Sequence, residues 1–264
     1  MAKQSEIWNK VMSSALKLPG VAVDREKFLR DELKQYCTGS HINDAIKRGT
    51  AGVVPSKILD KLAANAIKSH TKKVTILSAA MGVPGGWAAL GTVPTDIAQF
   101  YYHVLVVAQK LAYIYGFPDM RDNNGKLSEG ATNLLTIFVG VMTGVAVATK
   151  VVQEIGERLQ KQVIKKLPEY AMSNAVLNLA VKKVAKMVGA SITKSSISEG
   201  ITKTMPIVSG IIAGVLTYKS FSPQAKRLSL TLRKNMILLP QHAANAPAPT
   251  VDVDYEEMPP ELPR

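Results

Sequence analysis

A single cysteine, Cys37, stands in 264 residues, so the chain can form neither an intrachain disulfide nor a multi-cysteine zinc site. Aromatic residues make up only 6% of it and are not interleaved with basic clusters. That removes the stacking platforms single-stranded nucleic acid uses, and no recognition-helix motif replaces them. Alternation of the strand type is scarce, which argues against sheets. Familiar catalytic patterns are missing too: there is no Gly-x-x-x-x-Gly-Lys-Ser/Thr loop, no Gly-x-Ser-x-Gly elbow and no His-Glu-x-x-His, and His41, His70, His103 and His242 are scattered. No cofactor or metal is expected. The first residues, MAKQSEIWNKVM, lack the charged, apolar and small-residue order of a secretory signal, so the chain is expected on the cytoplasmic side and not secreted.

What is present is helical periodicity. Hydrophobic residues form 47% of the chain, and from Ile7 to about Leu239 they recur at steps of three and four. The expected fold is all-α, a multi-helix bundle with central glycine-rich apolar helical hairpins. Helices are expected at about 5–18, 23–37, 41–48 and 55–73. Three segments then carry almost no charge: Val74 to Thr95, Ala131 to Thr149 and Thr204 to Tyr218. Each holds a Gly-x-x-x-Gly spacing, Gly82 with Gly86, Gly140 with Gly144 and Gly210 with Gly214, which on a helix places both glycines on one face and admits a neighbouring backbone. A straight membrane span needs roughly 20 apolar residues; the first segment is broken by glycine and proline, the second carries five Thr and Asn residues, and the third is short. A buried core is therefore preferred to spanning. Ser222-Pro223 reads as the N-cap and first turn of a last basic helix.

Charge is the other strong feature. The net charge is +13, yet residues 241–264 hold Asp252, Asp254, Glu256, Glu257 and Glu261 against Arg264, a contribution of −4 that leaves the remainder at +17. Residues 240–264 lack apolar periodicity and read as a disordered acidic, proline-rich tail. Residues 1–73 read as amphipathic helices packed on a core at 74–239. Lysines outside the apolar stripes, Lys161, Lys165 and Lys166 in one helix and Lys182, Lys183 and Lys186 in another, form basic faces suited to an anionic membrane surface.

Two stretches carry a pattern. Residues 79–117 contain Pro84, Gly85 and Gly86, then Pro94 and Asp96, then a helix closed by Tyr115 and Gly116; residues 203–234 contain Pro206, Gly210 and Gly214 ahead of a basic helix. Together they resemble the EcsC family of bacterial proteins. The resemblance covers about 74–234, and implies a helical protein at the inner face of the membrane without established catalytic residues. It also implies a membrane-protein complex, an ABC transporter among the candidates, as partner. This chain has Ser209 before Gly210 where the family commonly has glycine.

The residues themselves allow two functions. One is a non-enzymatic accessory protein binding an anionic membrane surface or a membrane protein. The alternative is a hydrolase with Asp96 and His103 in a helical pocket, seven residues apart on one helix and so roughly 10 Å along its axis. Asp96 also suits a helix start, where a carboxylate faces the positive end of the dipole. Gln99, Tyr102, His103 and Gln109 read as a polar seam between helices.

Overall fold

The computed structural model describes residues 2–81, 93, 95–161, 175–199 and 206–236, with side chains described for 4–76, 93, 97–160, 177–192 and 220–236. Among these the chain is helical throughout, with isolated bridges but no strand. The helices are α1 (Ala2–Leu16), α2 (Arg25–Leu33), α3 (Gly39–Arg48), α4 (Ser56–Met81), α5 (Thr95–Ile114), α6 (Glu129–Met142), α7 (Ala146–Lys161), α8 (Ala175–Glu199) and α9 (Pro206–Lys234). The all-α expectation holds. The proposed acidic tail, 240–264, lies outside the described residues.

Helix α6 is the axis of the bundle. Ser128 caps its start by accepting the Ala131 N–H at 3.1 Å, and from Gly130 to Met142 eleven residues are buried against α5, α7, α8 and α9. Its threonines need no water, because Thr132 and Thr136 donate to carbonyls one turn back. Thr136 also accepts the indole N–H of buried Trp8, which ties α1 to the axis. Facing α6, helix α5 is buried from His103 to Gln109 and again from Leu111 to its end.

Both central helices end on glycine. At α5, Phe117 N–H reaches Ala112 O and Gly116 N–H reaches Tyr113 O, with Gly116 at φ 96°. At α6, Val145 N–H reaches Gly140 O and Gly144 N–H reaches Val141 O, with Gly144 at φ 84°. This paired pattern satisfies two end carbonyls and needs a left-handed residue that only glycine adopts cheaply. Ala131 to Thr149 is therefore not one helix: it folds into the end of α6, a sharp turn and the start of α7. Gly144 accordingly shares no helix face with Gly140.

Polar side chains fasten the N-terminal region to α5. Gln109 accepts Val23 N–H and donates to Val21 O, clasping the α1–α2 link. Buried Arg25 donates to Phe117 O at 2.9 Å and Ile46 O at 3.0 Å, and Thr50 donates to Ile114 O. The buried residues of α1 to α3 belong to the same core as α5 and α6, and α4 runs unbroken across residue 73.

Helix α9 also runs through the expected start at Ser222-Pro223. Proline removes one N–H there, and its ring is exposed. Phe221, Ala225, Leu228 and Leu232 keep one buried stripe in register across it. Asp60 near the start of α4 meets Arg233 near the end of α9 at 2.6 Å, so the two long helices pack antiparallel.

Candidate functional site

His103 is buried on α5, where its Nδ1 lies 3.2 Å from Nδ1 of His70 on α4. One ring must donate and the other accept, and in either tautomer the second nitrogen of His70 is left buried without a partner. Burial pushes the His70 pKa down to about 3, assisted by Lys110, His103 and Lys73, and burial with Lys73 pushes His103 down to about 4. Both rings are neutral at pH 7. Asp96 sits in the first turn of α5; its side chain is outside the described residues, and no described carboxylate bonds to either ring. Among the described residues no three His, Cys, Asp or Glu side chains gather to hold a metal ion.

The resemblance motifs divide. Tyr115 and Gly116 form the α5 stop, and the Tyr115 hydroxyl meets Ser229 at 3.1 Å. Pro84, Gly85, Gly86 and Pro94 lie outside the described residues. Pro206, Gly210 and Gly214 belong to the first part of α9, with surroundings that are not described.

The lysines divide as well. Lys165 and Lys166 lie outside the described residues, and Lys161 ends α7 with its side chain undescribed. Lys182, Lys183 and Lys186 are exposed on α8, as expected. Leu179, 68% exposed, and Met187, 47% exposed, share that face. At 100° per residue these five side chains fall within an arc of about 140°. The opposite side, Leu177, Ala180, Val184, Val188 and Ile192, is buried against α1 and α6. Reading the lysines alone misses the two exposed apolar residues, although both stand off the core stripe in the sequence.

A second surface has no counterpart in the sequence reading. Between α4 and α9 lies an open trough of about 890 Å³, within the size of small-molecule sites. One end is closed by Asp60, which is paired with Arg233 and lies 3.5 Å from the Tyr115 hydroxyl. Further along come Lys68 and Lys72 from α4 and Lys226 from α9, none paired with a described carboxylate, and the flanks carry Ile76 and Leu230, 57% and 59% exposed. Thr75 also lines it, its hydroxyl buried without a partner.

No family model, no curated protein and no solved structure matches the chain.

Proposed function

We propose that the chain is a non-enzymatic peripheral protein of the EcsC type that binds the anionic inner face of a membrane through the outer face of α8. One observation carries the reading: Leu179 and Met187 are exposed on the same face of α8 as Lys182, Lys183 and Lys186, one to either side of them along the helix. A lysine-only face would be an ordinary solvated surface. Two large apolar side chains among the lysines lose little by entering the headgroup boundary, while each ammonium near an anionic surface contributes about 1 kcal/mol. Among the described residues no helix is long and apolar enough to cross a membrane, so attachment through this face is by surface contact. The motif resemblance at 79–117 and 203–234 supports the same placement.

Sedimentation with phosphatidylglycerol vesicles tests it. Lys182→Glu, Lys183→Glu and Lys186→Glu together are expected to weaken binding by more than about 100-fold, since loss of the three lysines alone costs roughly 1 kcal/mol each and the new carboxylates are repelled, and salt to release the native chain. Unchanged vesicle binding by a folded triple variant would overturn the assignment.

A further inference from the structure

We infer that the α4–α9 trough is a binding site for a single-chain amphiphile with an anionic head, such as a fatty acid or a monoacyl phosphate. This goes beyond surface attachment and does not depend on α8. Lys68, Lys72 and Lys226 bring three ammoniums to one concavity with no described carboxylate to answer them, and the one carboxylate there, Asp60, is held by Arg233. Among the described residues the positive charge in the middle of the trough is therefore unmatched. On either helix an apolar residue rises beside it, Ile76 from α4 and Leu230 from α9, each more than half exposed. Water solvates the lysines well but the leucine and isoleucine poorly; an anionic head with an alkyl chain satisfies both.

Other occupants fit less well. A nucleotide would find no aromatic face, because the Tyr115 ring is buried and no other aromatic residue among the described residues lines the trough. A bare anion would leave Ile76 and Leu230 in water. A bilayer presents a flat or convex front to a concave slot, whereas one acyl chain can lie in it. From residue 60 to residue 76, α4 advances roughly 24 Å, ample for an extended alkyl chain.

The experiment is calorimetric titration of the full chain with laurate at low salt, below its micellar concentration. The expected result is one laurate per chain, with binding weakened at least about tenfold by Leu230→Glu and by Ile76→Glu. Lys68→Gln, Lys72→Gln and Lys226→Gln together are expected to weaken laurate similarly while leaving the neutral dodecyl maltoside unaffected. Both apolar positions are exposed and on different helices, so circular dichroism can confirm that at least one variant is folded. Undiminished binding in a folded Leu230→Glu or Ile76→Glu chain would overturn the proposal. So would equal affinity for laurate and dodecyl maltoside, or displacement of laurate by equimolar inorganic phosphate. Loss of laurate binding in the α8 triple variant, with the trough variants unaffected, would assign the effect to the membrane face instead. The converse, laurate bound normally by an α8 variant that no longer sediments with vesicles, separates the two sites and supports the trough.

Discussion

Replacing Gly140 by alanine adds one methyl group at the point where α6, α7 and α8 meet. A Cβ built there lies 2.8 Å from Ala148 Cβ and 2.8 Å from each methyl of Val184, well inside normal contact. None of these neighbours can step aside. Ala148 has no rotamers, and turning Val184 exchanges one crowding methyl for another. The relief must come from moving a helix, and overpacking of this kind costs about 1–3 kcal/mol. Alanine recovers about 1 kcal/mol over glycine through helix propensity. With contacts on two sides the upper part of the range applies, leaving a net loss of about 1–2 kcal/mol and, for a chain of this size, a melting temperature lower by about 4 °C.

A partner substitution gives a sharper test. Val184→Ala alone removes two fully buried methyls and is expected to cost about 2 kcal/mol, but it opens the space that a methyl group at position 140 would need. The double variant should therefore be more stable than the sum of the two losses by about 1–2 kcal/mol. Gly144→Ala is destabilising for an unrelated reason, since its φ of 84° penalises any Cβ and its nearest neighbour is Arg227 rather than Val184. Val184→Ala should not rescue it, whereas Gly144→Asn should be milder than Gly144→Ala because asparagine tolerates the left-handed region. Thermal melts followed by circular dichroism supply all the comparisons. A neutral Gly140→Ala, or additivity with Val184→Ala, would refute the crowding argument.

Two further substitutions probe the buried polar groups. Arg25→Leu should lower stability by about 2–4 kcal/mol in urea titrations, because it strands the carbonyls of Phe117 and Ile46; Arg25→Lys should recover little, since one ammonium lacks the guanidinium fork. The histidine pair should make the fold acid-sensitive. Unfolded, both rings take up protons below about pH 6.5, but folded they resist until about 4 for His103 and about 3 for His70. Their contribution is thus intact above about pH 6.5 and is lost as pH falls toward 4, at up to about 1.4 kcal/mol per pH unit for each ring. His70→Gln with His103→Gln should flatten the melting-temperature profile between pH 6.5 and 4.5, and an unaltered slope would show that these rings do not control it.

Local signals are legible in the sequence, and relations between distant helices are not. Gly116 can be read as a helix stop because the cue, a glycine after a periodic run, lies within a few residues. The Gly140–Gly144 spacing has two physical meanings, and only the chain reversal into α7 chooses between them. Pro223 misleads for the converse reason: a proline after serine is a good start signal, but the stripe from Phe221 to Leu232 carries α9 straight through. His103 stands out in the sequence, yet its partner is His70, 33 residues away on another helix, rather than a residue of its own helix. The trough depends on the pairing of Asp60 with Arg233, which no local pattern encodes.

Among the described residues the exposed large hydrophobics are Ile76, Leu179, Met187 and Leu230, and they do not scatter singly as surface apolar residues usually do. Two share the outer face of α8 with three lysines, and two flank a trough with three lysines. The same pairing of charge with apolar surface thus occurs once on a convex helix face and once in a concavity. Shape then separates the consequences. On α8 the ammoniums meet a surface whose field is screened within about 8 Å at physiological salt, so vesicle binding should fall steeply as salt rises. In the trough much of the ligand's contact is alkyl chain against Ile76 and Leu230, which salt does not weaken, so laurate binding should fall more gently over the same range. A parallel salt titration of the two ligands on one preparation therefore tests whether the two surfaces are physically distinct, and superimposable curves would mean that a single charged face accounts for both.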